Sequence, residues 1–275
     1  MVVASFGDVP LVGDRAFVMV EHGTGCSYGG EPPDGSTPDL AHRCNMLALA
    51  CPNEIHARRN RLHHPHAMVE VTGCAKLDAW PPDRVRGVTD PPTVALLWHW
   101  PNRWIAPESN WAFPHWRDAV AVLAARGVDR LGYRLVGHGH PRSAAVLWQF
   151  YRRSGIPVVA GLGDVWEQAS VVTFDNTSAG FESMAVGIPA VVLDCPEYRR
   201  DVEHGIRFWW HADAGVRVGG GDADELHDAI VATLRDDPAA KARAAAVAEL
   251  YPCQGGGAAA RVADLAVRAA RRASP

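Results

Sequence analysis

The chain reads as an α/β protein built on parallel sheets, and three observations carry that prediction. Short apolar runs recur along it, at residues 2–6, 16–20, 68–72, 93–98, 134–137, 157–160, 171–174, 190–193 and 215–218. Most of these runs are largely apolar instead of alternating, as in strands covered on both faces. Between most of them lie stretches with helical spacing or helix-forming composition. A chain of 275 residues has room for two modest domains.

The elements follow in order. Residues 2–6 form a buried strand that turns at Gly7-Asp8-Val9-Pro10. A second strand at 16–20 ends in Glu21-His22-Gly23-Thr24-Gly25, and the Gly/Pro-rich stretch 29–38 is a loop. Residues 40–50 and 54–62 predict short helices, and 68–72 a strand stopped by Gly73. This first part is too small for a whole Rossmann-like domain, so the N-terminal domain is expected to be truncated. Proline-rich residues 80–92 read as a hinge, dividing the chain into domains at 1–85 and 86–275. Beyond the hinge the alternation becomes regular. Strands at 93–98 and 134–137 flank a helix at 115–126, and a helix at 143–153 leads to strands at 157–160 and 171–174. A helix at 178–186 and strands at 190–193 and 215–218 follow, then helices at 222–235, 238–250 and 257–272. The Ala/Arg-rich composition of the last two favours helix.

Composition excludes several classes. The formal charge of −4 argues against a dedicated nucleic-acid binder. No apolar run approaches the roughly 20 residues that cross a bilayer. Met1-Val2-Val3-Ala4 is followed too soon by Gly7, Asp8 and Pro10 to be a signal peptide, so the expected location is cytoplasmic. The six cysteines, Cys26, Cys44, Cys51, Cys74, Cys195 and Cys253, contain no C-x-x-C pair and read as free thiols, several of them buried. His63, His64 and His66 invite a metal reading but lack orderly ligand spacing. With Arg58, Arg59 and Arg61 beside them, a solvated basic loop is the preferred reading and no metal is expected. Among ten tryptophans, Trp98, Trp100, Trp104, Trp111 and Trp116 cluster closely; core packing explains most, and some are expected to line an interdomain cleft.

Three constellations fall at predicted strand ends, where open α/β sheets bind ligands. In the first, His22 stands just past a strand beside Gly23 and Gly25, with room for a substrate and an ordinary pKa, about 6.5, suited to proton abstraction. A structural turn is the alternative. The second is Gly137-His138-Gly139-His140-Pro141-Arg142, where glycines allow backbone approach to a phosphate and His140 and Arg142 can donate to it. A tight turn with solvated side chains is the alternative there. The third runs from Asp175 to Asp194: a strand ends in Asn176, Thr177 and Ser178, a short helix follows, and Gly187 and Pro189 stop it. Free N–H groups and the positive end of a helix dipole there suit a diphosphate. Glu182, one turn beyond Ser178, can face the same crevice and accept from a ribose. An ordinary βαβ unit with a capped helix accounts for the same residues.

The third segment resembles the nucleotide-binding segment of GT-B glycosyltransferases, of nucleotide-sugar 2-epimerases and of CDP-glycerol glycerophosphotransferases. The matching positions are Asp175, Ser178, Glu182, Gly187, Pro189 and Val191-Val192. His22-Gly23, His140-Pro141 and Thr177-Ser178 also stand in the order of the His-Gly, His-Pro and Ser-containing motifs of the glycerophosphotransferases. The segment 71–78 resembles their entry into the interdomain linker. Glu21 departs from that family, which carries an aromatic residue before His-Gly.

The resemblance implies a GT-B-like fold and a transferase that moves a glycosyl or glycerophosphoryl group from a nucleotide-diphosphate donor to a hydroxyl acceptor, without a metal. His22 is then the expected general base. Gly23, His140, Arg142, Thr177, Ser178, Ala179 and Glu182 are the expected substrate-binding residues. His140, Arg142 and the backbone N–H groups of Ser178 and Ala179 would hold the diphosphate, and Glu182 the ribose. Ser178 points to glycerophosphoryl transfer and Glu182 to sugar transfer, and the sugar is preferred. An epimerase-like reaction and a non-catalytic nucleotide-sugar binder are the alternatives. No cofactor is expected, since the donor is a substrate. Arg58, Arg59, Arg61 and the tryptophans are candidates for peripheral membrane contact, and a second copy or partner chain is a candidate for completing the N-terminal domain.

Overall fold

A computed structural model describes residues 1–4, 9, 11–21, 45–80, 89–101, 111–198, 209–253 and 255–273. The chain divides into two compact units, Met1–Pro82 with Val247–Pro275, and Asp83–Ala246. Most of the expected hinge, residues 81–88, lies outside the described residues.

The first unit holds a parallel four-stranded sheet in sequence order, β1 (Val2–Val3), β2 (Phe17–Val20), β3 (Met46–Cys51) and β4 (Met68–Val71). Helix α1 (Glu54–His63) crosses from β3 to β4. Alternation along the strands separates two cores. Phe17, Met19, Leu49 and Cys51 face one side with Ala57 of α1, and Val18, Ala48 and Ala50 face the other.

Two expectations fail here. The segment expected as a helix at 40–50 is strand β3 from Met46 onward. Its Met-Leu-Ala-Leu-Ala composition favours helix, but β3 is sandwiched between β2 and β4 and buried on both faces, and tertiary pairing overrides propensity. The expected solvated basic loop is partly interior. Asn53 caps α1, its side chain accepting from His56 N at 3.0 Å, and the helix turns His56, Ala57, Asn60 and, just past its end, His64 inward. Arg59 is buried as well, whereas Arg58 is exposed and Arg61 pairs with Glu54 at the surface.

The second unit is a parallel five-stranded sheet. Its chain runs β5 (Thr93–Trp98), α2 (Phe113–Arg126), α3 (Val128–Leu131), β6 (Arg134–Gly139), α4 (Ala144–Arg153), α5 (Leu162–Gln168), β7 (Val171–Phe174), α6 (Ser178–Ala185), β8 (Ala190–Leu193), β9 (Val216–Val218) and α7 (Ala223–Arg235). The spatial order is β6-β5-β7-β8-β9, so the chain starts inside the sheet, steps out to β6 and returns past β5 to β7. Trp98, Trp116, Leu123, Tyr133 and Tyr151 anchor the core of this unit, which explains two of the clustered tryptophans as packing. The strand expected at 157–160 reduces to a single bridge, Val158 to Gly137.

Helix α8 (Ala240–Leu250) carries the chain to the division at Val247, and α9 (Ala258–Ala273) belongs to the first unit. There Leu265 and Ala269 cover Val18, Ala48 and Ala50. The Asp78 carboxylate accepts from the N–H groups of Ala258 and Ala259 at 3.0 and 2.8 Å, capping α9 from a distant part of the chain. The second domain, expected to run to residue 275, thus gives its last segment back: the open face of the first sheet needs a cover, and the apolar stripe of α9 supplies it. Among the described residues no helix is long and apolar enough to cross a membrane.

Candidate functional site

The strands of the second sheet are parallel, so their carboxyl ends share one edge. Because β5 has β6 on one side and β7 on the other, the loops after β5 and β7 part at the point where the winding reverses. Such a switch point opens a crevice in α/β sheets.

Two loops are tied together there. The backbone N–H of His99, just past β5, donates to Asp175 Oδ1, just past β7, at 2.8 Å. Asp175 is 1% exposed. Burial pushes its carboxyl up to about 7, against the backbone N–H groups of His99, Ala112 and Thr177, which favour the charged form. Next in the chain, Thr177 caps α6, its side chain accepting from Ala179 N at 3.4 Å. Ser178 and Ala179 form the half-buried first turn. Gly180 lets that turn lie against β7, since a Cβ there would fall 2.1 Å from the Phe174 ring. Glu182, one turn further, is 1% exposed.

The loop after β6 meets the loop after β5. His140 N donates to Trp98 O at 3.4 Å, and the His140 ring lies 6.0 Å from the rings of both His99 and Trp100. The His99 and Trp100 rings stack at 5.6 Å, and the Arg142 guanidinium carbon lies 4.5 Å from the Trp100 ring centre. Hydrogen bonds assign the tautomers. His140 Nδ1 accepts from Arg142 N at 3.2 Å, so a neutral His140 carries its proton on Nε2. His99 Nδ1 lies 2.7 Å from the Trp100 carbonyl and donates to it. The two imidazoles therefore have opposite polarity.

The glycines of the second constellation have another role than the one expected of them. Strand β6 continues through Gly139, and a Cβ at Gly137 would fall 2.4 Å from the Tyr151 ring while one at Gly139 would fall 2.3 Å from Leu147. Helix α4, not a ligand, makes the close approach. His138 stays within the strand, donating from Nδ1 to Val159 O at 2.9 Å, and burial lowers its pKa.

Of the expected binding residues, His140 and Arg142 come together after β6, and Thr177, Ser178, Ala179 and Glu182 come together as the N-cap and residues of α6. His22 and Gly23 lie outside the described residues. Sequence reasoning missed His99 and gave Trp100 only to a general aromatic cluster. The available signal was position, since both directly follow a strand, as His140 and Arg142 do.

The first sheet carries a buried polar cluster at its own carboxyl edge. Glu21 Oε2 pairs with His56 Nδ1, and Glu21 Oε1 accepts from Asn60 Nδ2 at 3.0 Å. Burial, reinforced by Glu21, holds the Cys51 thiol well above its usual range. Cys51, Cys195 and Cys253 are free thiols. Among the described residues no group of three or more His, Cys, Asp or Glu is placed to hold a metal.

No family model and no curated protein sequence matches the chain. Solved structures do. A structure of the wall teichoic acid polymerase TagF soaked with CDPG superposes with a TM-score of 0.61 at 10% identity, over 94% of this chain and 69% of that one. A putative UDP-N-acetylglucosamine 2-epimerase from Listeria monocytogenes gives 0.57 at 15% identity, over 98% and 71%. A structure of S. aureus MnaA with UDP gives 0.57 at 13% identity, over 96% and 70%. With two parallel sheets and interleaved helices that match these structures over most of its length, the chain has a GT-B fold.

Proposed function

We propose that the chain binds a nucleoside-diphosphate donor at the second sheet and transfers its glycosyl group to an acceptor hydroxyl, with glycerophosphoryl transfer as the alternative chemistry. The observation that carries this reading is the convergence of His99, Trp100, His140 and Arg142 at the switch point, with His99 tied to Asp175 in the loop that leads into α6. A departing nucleoside diphosphate accumulates negative charge. Arg142, the Nε2 proton of His140 and the N–H groups that open α6 are donors suited to receive it. Glu182 is assigned to the ribose hydroxyls.

His22 is assigned as general base. The acceptor oxygen forms its bond to the anomeric carbon and gives its proton to His22, while the bond to the donor phosphate breaks and its electrons leave with the diphosphate. Replacing His22 with Ala is expected to abolish turnover with nucleotide binding nearly intact; an active His22→Ala enzyme removes His22 from the mechanism.

The first test is a thermal-shift screen with CDP-, UDP-, GDP- and dTDP-linked donors, since a ligand specific to the native state raises apparent stability. Fold neighbours with CDPG and UDP in their names make those two the first to try. Product analysis separates the chemistries. Glycosyl transfer releases a nucleoside diphosphate, glycerophosphoryl transfer releases the monophosphate, and isomerisation of the sugar without release points to an epimerase. No shift with any donor overturns the reading.

A further inference from the structure

We infer that Trp100 is a positioning residue of the donor site, whose indole face holds the Arg142 guanidinium ready for the diphosphate. The inference rests on the donor-site reading above and assigns a part of it that no sequence motif marked. An arginine on a loop is normally free among many rotamers, and ordering it on binding costs affinity. Here its guanidinium carbon stands 4.5 Å from the indole centre, in cation–π range, so part of that ordering is done beforehand. Trp100 is itself constrained from its other neighbours. Its ring stacks on His99 at 5.6 Å and meets His140 at 6.0 Å, and its carbonyl accepts from His99 Nδ1 at 2.7 Å. His99 is in turn tied by its N–H to Asp175, which is buried in the loop that leads into α6.

The contacts form one chain: the loop after β7 fixes His99, His99 and His140 fix Trp100, and Trp100 fixes Arg142. Two cationic or N–H-bearing groups, Arg142 and His140, are thereby presented from a single loop at a set spacing. A diphosphate offers oxygens on two adjacent phosphorus atoms and engages both groups. A nucleoside offers none. Trp100 therefore acts on diphosphate affinity through Arg142 and not on recognition of the base.

Isothermal titration of the full chain with UDP, CDP, GDP and dTDP, and with their parent nucleosides, tests this in a double-mutant cycle of Trp100→Ala and Arg142→Ala. Trp100→Ala is expected to weaken the preferred diphosphate about tenfold and to leave nucleoside affinity unchanged. In the Arg142→Ala background the same change should have little further effect, a non-additivity that mere loosening of the loop does not produce. Trp100→Phe keeps an aromatic face and should recover most of the affinity, and it serves if the alanine variant fails to fold. Equal diphosphate affinity in wild type and Trp100→Ala overturns the inference, as do fully additive effects. A wild-type chain that binds none of the four diphosphates overturns the donor-site reading itself, a result distinct from either.

Discussion

At the scale of single residues, Asp175 makes the sharpest claim. It is buried, it accepts from His99 N–H at 2.8 Å, and burial raises its carboxyl to about 7. In the unfolded chain the same group titrates near about 3.9. Below that value both states are protonated and the group has no effect. Between the two values the folded state holds a proton that the unfolded state has lost, so stability falls as pH rises through the window and levels off above it. The size is on the order of 4 kcal/mol if the whole difference is expressed. Asp175→Asn keeps an oxygen for His99 N–H and removes the charge. Urea unfolding from pH 4 to 8 should show a downward slope in wild type that is much flatter in Asp175→Asn; parallel profiles would dispose of the claim. In the sequence Asp175 stood out only as a position shared with the nucleotide-binding segment that this stretch resembles. His99 went unmarked despite its place directly after a strand, because Trp98 and Trp116 around it are core residues and make the whole aromatic run look like packing.

At the scale of elements, legibility follows what local sequence encodes. Strands β5, β7 and β8 and helices α6 and α7 were readable because long apolar runs and capping residues specify them locally. Strand β3 was not, since an Ala/Leu/Met run is a good helix in isolation and becomes a strand only when β2 and β4 flank it. Nor could the purpose of the β6 glycines be read, because Tyr151 and Leu147 reach them from α4. The same close helix–strand packing occurs at Gly180 and gives a test. In an open helix Gly→Ala gains about 1 kcal/mol from propensity. At Gly180 the new Cβ would sit 2.1 Å from the ring of Phe174, which is fully buried and packs edge-on to Phe181 with centroids 5.2 Å apart. The ring has nowhere to retreat, so overpacking wins. Gly180→Ala is expected to destabilise by about 1–3 kcal/mol, and to weaken donor binding as the α6 turn shifts. A urea midpoint at or above that of wild type would show that the packing yields.

At the scale of the whole molecule, the unexpected feature is the return of the chain to its first unit. Helical spacing at the C-terminus announces an apolar stripe but not which sheet it will cover, so sequence order alone left α9 with the second domain. The first sheet explains the difference. The fully buried side chains of its second face, Val18, Ala48 and Ala50, are small, with Val20, Leu47 and Met68 partly buried around them. Leu265 is the one large fully buried side chain α9 brings to them, beside the partly buried Val262. Polar contacts set where the helix lies: Asp78 holds its first turn, Arg261 donates to Thr72 O at 2.8 Å, and Arg268 meets Glu70 with two bonds at 2.7 and 2.6 Å. Arg268 also holds the Glu70 carboxyl below its usual range. Those last two side chains are substantially exposed, so the pair orients more than it stabilises. Leu265 is the largest single apolar side chain that α9 buries there. Truncating it to Ala removes its burial and leaves a cavity beside Val18, Ala48 and Ala50, an expected loss of about 2–5 kcal/mol. Hydrogen exchange locates the effect. Protection should fall at the amides of Val18, Ala48 and Ala50, whereas Arg268→Ala should change those amides little. Equal protection in Leu265→Ala and wild type would mean that the first sheet is stable without its returning helix.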